Sequence, residues 1–360
     1  MMKKRIAVVL FNLGGPHKKE DIKPFLFNFF MDKNIIRAPW PVRFLIANII
    51  AISRSRKQAG ESYSFLGGGS PLLKNSQEQA DALLQALQTS AEYEFCVEVC
   101  MRYWHPMTDE VVAKIRQWGP DRVVLLPLYP QYSTTTTRSS LQQWNDQVQK
   151  QGLKCPTTLI CCYPESKGYI EASVENIRTA YAKALAVSEE KKIKAPRLLF
   201  SAHGLPEDII REGDPYQAQC ERSAQAIVKA LKIEKLDWTV CYQSKVGPKK
   251  WIEPSTEDEL RRAAADQVPV IIYPHAFVNE HVETLVEIEI EYRELAHELG
   301  VPHFERVPTV ATHGSFINDL AQTVTGHARQ SGIFPYGGQR VCPLSSRQCC
   351  QSECMVESGV

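Results

Sequence analysis

The sequence predicts an α/β protein built from two similar domains, each a parallel sheet wrapped by helices. Three observations carry this expectation. Short apolar runs recur along the chain and end in turn residues, and they are continuous rather than alternating, as strands buried on both faces are. Segments of helical periodicity lie between them. The two halves also echo each other. The run Ala7–Phe11 ahead of Gly14 resembles Arg197–Phe200 ahead of Gly204, and Val123–Pro127 resembles Val270–Pro274.

Taken in order, the expected strands are Ile6–Phe11, Phe95–Met101, Val123–Leu128, Thr157–Cys162, Leu198–Phe200, Trp238–Tyr242 and Val268–Tyr273. The helical segments include Gln77–Leu87, Asp109–Trp118, Gln217–Leu231, Thr256–Ala265 and His281–Leu299. The organisation reads as a first domain over 1–165, a second over 166–313, a C-terminal helix over 314–335 and a Cys-rich tail over 336–360. The first two strands lie much further apart in the first half than in the second. On the repeat alignment the surplus is roughly 50 residues, within about 21–73.

That insertion is greasy and basic. Phe25, Leu26, Phe27, Phe29, Phe30 and Met31 precede Pro39-Trp40-Pro41, then Phe44–Ile50, then Arg54, Arg56 and Lys57. Apolar aromatics beside cations suit a helix lying on a membrane surface, or the mouth of a site for an apolar ligand. A helical hairpin packed on its own domain is the plain alternative.

Composition narrows the class. The chain has 360 residues, 44% hydrophobic and 23% charged, enough to bury a large core. Lys plus Arg number 42 and Asp plus Glu 41, which argues against a nucleic-acid binder working through a global basic field. There is no run of eighteen apolar residues, so no transmembrane helix is expected. Met1–Arg5 is basic, but the short run Ile6–Leu10 leads into a Gly-Gly-Pro turn, which reads as a first strand and not a signal peptide.

Ligands of parallel α/β sheets bind beyond the carboxyl ends of the strands. Here those loops carry Arg102, Tyr103, Trp104, His105, Tyr129, Tyr132, Ser133, His203, Lys245, Trp251, His275, His281 and Glu283. Aromatics, histidines and a carboxylate together suit a large planar ligand with a polar reacting centre. His203 ends a strand, where it can accept a proton near neutral pH. Ser201 lacks the Gly-x-Ser-x-Gly elbow of a nucleophile. Glu283, Glu287 and Glu291 recur every fourth residue and line one helix face. Like charges at that spacing repel, so the row suits protons or a metal; an exposed acidic stripe is the alternative. His281-Val282-Glu283 lacks the Pro-Cys-x-x-Cys partner of a zinc deaminase. Gly67-Gly68-Gly69-Ser70-Pro71 lacks the Lys-Ser/Thr of a P-loop, and reads, like Gly14-Gly15-Pro16, as a turn permitting close approach of a ligand.

Several motifs in order identify a family. Asn12-Leu13-Gly14-Gly15-Pro16, Met101-Arg102-Tyr103-Trp104-His105-Pro106, Tyr129-Pro130-Gln131-Tyr132-Ser133, Ser201-Ala202-His203-Gly204-Leu205-Pro206, Tyr242-Gln243-Ser244-Lys245-Val246-Gly247-Pro248 and His281-Val282-Glu283-Thr284-Leu285 all match. The chain resembles the ferrochelatases, from Asn12 to about Ala321. The resemblance implies two Rossmann-like, chelatase-type domains with four-stranded parallel sheets around a porphyrin cleft. The implied activity is insertion of ferrous iron into protoporphyrin IX. Coproporphyrin III ferrochelatase, cobalt chelatase and a non-catalytic haem carrier are the alternatives. It places the catalytic histidine at His203, the catalytic glutamate at Glu283 and the acidic row at Glu287 and Glu291, with His281 beside them. His203 and Glu283 are the expected metal contacts. Leu13, Arg102, Tyr103, Tyr132, Ser133, Lys245 and Trp251 become porphyrin-side residues, with Tyr103 and Trp251 as stacking candidates. The apolar lip falls on Phe25–Ile50 and implies contact with the cytoplasmic membrane surface. A cytoplasmic protein is expected, peripheral on the inner membrane, without nucleic acid, as monomer or homodimer. Two departures stand out. Ser64-Phe65 replaces basic residues of many relatives, and His275 replaces a usually apolar residue.

Eleven cysteines are many for a cytoplasmic chain, where disulfides are not expected. Seven sit in or near apolar runs and read mostly as small core residues. Cys342, Cys349, Cys350 and Cys354 crowd the tail. Some ferrochelatases hold a [2Fe–2S] cluster with one internal and three C-terminal cysteines. The internal position of animal-type members is Thr134 here. The resemblance therefore points to the Cys155–Cys162 region for the fourth thiolate, with Cys155, Cys342, Cys349 and either Cys350 or Cys354 as the expected set. Four tail ligands, a zinc site and a metal-free tail are the alternatives.

Overall fold

The computed structural model describes residues 3–56 and 62–351, so Lys57 of the lip and Cys354 of the tail lie outside the described residues. Nine strands are described: β1 (Lys4–Asn12), β2 (Tyr93–Met101), β3 (Arg122–Pro127), β4 (Thr157–Ile160), β5 (Arg197–His203), β6 (Asp237–Gln243), β7 (Val270–Pro274), β8 (Phe304–Arg306) and β9 (Gly332–Phe334). The chain forms two compact units. One comprises Met1–Tyr163, Leu320–Arg340 and Cys349–Val360; the other comprises Pro164–Asp319 and Val341–Gln348.

The first sheet runs β2-β1-β3-β4-β9 and the second β6-β5-β7-β8, with every pairing parallel. Leaving β9 aside, the two orders are the same, so the echo between the halves is a repeat of topology. The predicted α/β class with parallel sheets holds. The expectation of four strands in each sheet is corrected for the first, which gains β9 from the tail. The expected C-terminal helix is shorter than 314–335: it ends at His327, and Gly332, at φ 121°, leads the chain into a strand alongside β4.

Register brings the motifs together. Asn12 pairs with Met101, so Leu13 leaves β1 beside Arg102 and Tyr103. His203 pairs with Gln243, so His203 ends β5 beside Gln243 and Ser244. The strands are apolar because helices cover both faces, and Val8, Val9, Leu10, Leu198, Leu199 and Phe200 are fully enclosed.

The helices are α1 (Ile22–Phe30), α2 (Trp40–Arg56), α3 (Leu72–Leu87), α4 (Thr108–Trp118), α5 (Thr137–Gln151), α6 (Lys167–Lys191), α7 (Glu207–Arg211), α8 (Tyr216–Leu231), α9 (Thr256–Asp266), α10 (Arg293–Glu298) and α11 (Gly314–His327). The insertion builds α1 and α2. Phe44 packs edge-on against Phe27 at 5.6 Å and stacks on Trp40 at 5.3 Å, and the Arg54 guanidinium lies 5.5 Å over Phe30. Ala47 and Ala51 face inward, whereas Val42, Leu45, Ile49 and Ile52 face outward and are exposed. No helix among the described residues is long and apolar enough to cross a membrane.

Gly69 serves packing. A Cβ on Gly69 would come within 2.2 Å of the His17 carbonyl, and Ser70 N donates to Pro16 O at 2.7 Å. At Gly69 the close approach is between backbones, whereas Gly67 and Gly68 have open space where a side chain would stand. His275 is a core residue. Its Nε2 lies 2.9 Å from the Cys220 carbonyl and 3.0 Å from Ser223 Oγ, it packs edge-on against Phe200, and burial lowers its pKa to about 4.

Candidate active site

In the second unit the site begins where β5 ends. His203 Nδ1 lies 3.2 Å from Glu283 Oε2, and His281 Nε2 lies 3.4 Å from the same oxygen. Glu283 and Glu287 stand on a π-helix, Glu283–Tyr292, which α10 continues. The sequence anticipated one regular helix over His281–Leu299; the difference arises because a four-residue spacing keeps side chains on one face whether the turn holds 3.6 residues or is widened by i→i+5 bonding. π-helical turns are rare and recur at functional sites.

Electrostatics separates the three glutamates. Burial would raise the Glu283 carboxyl, but His203 and His281 hold it well below the ordinary range. Burial would lower His203, yet Glu283 outweighs it and its pKa is raised. Glu287 is raised by burial and then by the charge of Glu283. It accepts from Ser244 N (2.8 Å), Ser244 Oγ (2.5 Å), Gln243 Nε2 (3.0 Å) and the Tyr292 hydroxyl (3.0 Å). Ser244 sits at φ 64°, a strained conformation for a non-glycine residue that aims both donors at one carboxylate. Glu291 is exposed. Trp251 packs on His203 at 6.4 Å between ring centres, and its indole N–H donates to Val246 O at 3.1 Å. Lys245 is exposed beside them.

In the first unit Arg102 and Tyr103 converge on Asp32, which the sequence did not mark. Arg102 Nη2 (3.1 Å), the Tyr103 hydroxyl (2.7 Å) and the Ser139 hydroxyl all donate to Asp32 Oδ2; Arg102 Nε donates to Ser139 Oγ (2.7 Å). Asn34 donates twice to the other oxygen. Burial raises the Asp32 carboxyl, but Arg102 and these donors outweigh it and hold it below its ordinary value. Tyr103 is fully buried, edge-on to Phe29 at 5.0 Å, so it supports Arg102 and does not present an open stacking face. Tyr132 and Ser133 are also buried; Leu13 O accepts from Tyr103 N at 3.0 Å.

The cysteines gather differently from the expected set. The sulfurs of Cys161, Cys162 and Cys350 lie within 4.8 Å of one another, all buried, and Cys161 is disulfide-bonded to Cys350. Cys155 is not among them. It precedes β4 while Cys161 follows it, six residues of chain that span about 20 Å when extended. Cys342, in the second unit, accepts from Gln219 Nε2 at 3.0 Å, and Cys349 is buried in the first.

The family model described as ferrochelatase matches residues 5–328. A ferrochelatase of Wolbachia sp. subsp. Drosophila simulans (strain wRi) is 49% identical over 315 residues, covering 88% of this chain and 97% of its own. The chain belongs to the ferrochelatase family. A ferrochelatase of Caulobacter vibrioides (strain NA1000 / CB15N) is 48% identical over 324 residues, 90% of each chain. One of Hyphomonas neptunium is 43% identical and covers all of this chain and 98% of its own. The fold is similar to that of the sirohydrochlorin chelatase SirB from Bacillus subtilis subspecies spizizenii in complex with cobalt, at a TM-score of 0.50 and 11% identity, over 91% of this chain and 98% of that one. The tail from 329 onward lies beyond the ferrochelatase family model.

The Asp32 network yields a test. Asp32→Asn should lower stability at pH 7 by on the order of 3 kcal/mol in urea denaturation, because it leaves the half-buried Arg102 without its counter-charge. A depressed carboxyl stabilises above its unfolded pKa of about 3.9, and that stability is lost as pH falls through the lower folded value. Asp32→Asn should lack this acid-dependent component. A variant as stable as the parent protein at pH 7, with the same loss of stability on acidification, would refute the assignment.

Proposed function

We propose that this ferrochelatase acts on protoporphyrin IX, with His203 and Glu283 as its reacting pair. As a member of the family the chain is a metal chelatase, a lyase that inserts ferrous iron into a porphyrin. The observation that carries the assignment of the pair is the 3.2 Å contact between His203 and Glu283, with Glu287 close behind. Inserting a divalent iron ion releases the two pyrrolic protons of the macrocycle. Neutral His203 accepts one, and Glu283 passes protons to Glu287 and on to exposed Glu291. His281 holds the Glu283 oxygen from its other side, and His203 with Glu283 faces the incoming metal. In the first unit Arg102, fixed by Asp32, and Leu13 are the porphyrin-side residues; in the second unit Lys245 and Trp251 are. Of these, Trp251 beside His203 has the best placement to press on the ring.

The outward stripe of α2 supports membrane contact. Trp40 is 60% exposed and Leu45 61%, next to Val42, Ile49 and Ile52. An apolar stripe of this size seats in the interfacial region of a bilayer, and it suits an enzyme whose porphyrin is sparingly soluble.

Three gathered, buried sulfurs fit thiolate ligation, and soft thiolates select iron–sulfur clusters and zinc. We assign Cys161, Cys162 and Cys350 to a [2Fe–2S] cluster, in place of Cys155, with a further cysteine as the fourth thiolate. Ligation takes Cys161 and Cys350 as the dithiol, reached by exchange with an external dithiol that is itself oxidised to a disulfide. The cluster supplies a one-electron redox centre when bound.

Four tests follow from these assignments. Glu283→Gln and His203→Ala should each lower iron insertion at least ~100-fold, followed by the Soret change in anaerobic assays, with folding intact. A charged imidazole cannot accept a proton, so activity should rise with pH through a midpoint above the ordinary histidine value of 6.5. The ion pair stabilises the fold below the unfolded His pKa and loses that contribution as pH rises through the raised folded value, so the active form appears as the pair's contribution fades. An activity maximum on the acid side would exclude His203 as acceptor. In the lip, Leu45→Ser with Ile49→Ser should weaken binding to phosphatidylglycerol/phosphatidylethanolamine vesicles by tenfold or more, at ~1.5–3 kcal/mol per buried side chain, and unchanged sedimentation with vesicles would remove the membrane assignment. For the tail, anaerobically purified protein should show visible absorbance, iron and acid-labile sulfide. Cys350→Ala should abolish all three and Cys155→Ala should leave them; the reverse pattern would restore Cys155.

A further inference from the structure

Outside the reacting pair, a partly buried charge network joins the π-helix to β8. Arg306, the last residue of edge strand β8, carries it. Its Nη1 donates to both carboxylate oxygens of Glu280 (3.0 and 3.1 Å), and its Nε donates to Glu289 Oε2 (3.0 Å). Glu280 precedes the π-helix and Glu289 stands within it, so one guanidinium grips the segment on both sides of His281 and Glu283.

The grip is reinforced locally. Glu280 also accepts from Thr309 N (2.9 Å) and from the Thr284 hydroxyl (2.5 Å), and Thr284 Oγ1 accepts from His281 N (3.0 Å). Arg293 closes the far end by donating to Glu289 Oε1 (2.9 Å). Burial raises the Glu280 carboxyl, but Arg306 and these donors outweigh it, so the carboxyl stays low and charged. Arg306 itself is largely buried. Its planar fork satisfies two carboxylates at fixed angles, which a lysine ammonium cannot reproduce.

We propose that Arg306 is a positioning residue for iron insertion: by pairing with Glu280 and Glu289 it fixes the register of the π-helix, and so the point at which Glu283 meets His203. The physical need is clear. A wide-turned helix is rare and relaxes readily toward the α form, which rotates each later side chain relative to the strand end. A displacement of about 1 Å at a reacting group costs on the order of 100-fold in rate. Arg306 touches neither His203 nor Glu283; its effect runs through the helix.

The proposal rests on Glu283 being a reacting group, and two readouts separate the two claims. Iron insertion is measured on the full-length protein for Arg306→Met, Arg306→Lys and Glu289→Gln, beside Glu283→Gln. Amide hydrogen exchange is measured over the peptides covering 280–292 and, as a control, over β5 and β7. Arg306→Met should lose about 100-fold in kcat with the porphyrin KM within twofold, and Arg306→Lys, which keeps one pair, about tenfold. Exchange should speed up over 280–292 and stay unchanged in β5 and β7. Where Arg306→Met fails to fold, Arg306→Lys and Glu289→Gln carry the test. Wild-type kcat in both, or faster exchange throughout the unit, overturns the proposal. Full activity in Glu283→Gln with selective exchange in the Arg306 variants overturns the assignment of Glu283 and leaves the clamp standing as the determinant of helix register.

Discussion

A carboxylate taken out of water must be met by cations or hydrogen-bond donors, and the functional ends of both sheets are arranged around that requirement. Asp32 is met by Arg102, two hydroxyls and an amide side chain. Glu283 is met by two histidines, Glu287 by Ser244, Gln243 and Tyr292, and Glu280 by Arg306. Each partner set comes from several elements, so each carboxylate fixes the elements that surround it. The positions of Arg102 and of the π-helix are consequences of this.

The parallel sheet makes such convergence economical. Register pairs Asn12 with Met101 and His203 with Gln243, so residues far apart in sequence leave their strands side by side. The core behind them is continuous and apolar, which keeps the strand ends from shifting. The same topological order serves both units with different chemistry: an arginine on a buried aspartate in one, a histidine on a glutamate in the other.

The sequence made the strands legible because both faces of each are buried, and it made His203 and Glu283 legible because each stands at a strand end or a helix start in a recognisable motif. Asp32 escaped notice as a lone acid in an aromatic insertion, with partners at Arg102 and Ser139 that only the fold brings near. β8 and β9 escaped as three-residue runs, Phe304–Arg306 and Gly332–Phe334, too short to show a period. With β8 went Arg306. The π-helix was hidden because a spacing of four fits either kind of turn. Cys155 was favoured over Cys161 from the family pattern alone, and the extended conformation of β4 between them is what separates the two.

The order of proton affinities along the acidic row gives the proposed relay a direction. Glu283 is the poorest holder of a proton, because two histidines favour its charged form. Glu287 is a better one, because burial and the neighbouring charge of Glu283 both oppose its ionisation. Glu291 is open to water. A proton on Glu283 therefore moves to a neighbour that holds it more readily, Glu287, and Glu291 beyond it faces solvent. An evenly exposed stripe of three glutamates would have no such gradient. The burial of the first two is thus what distinguishes a relay from a solvated helix face, and it depends on the π-helix being held against the sheet.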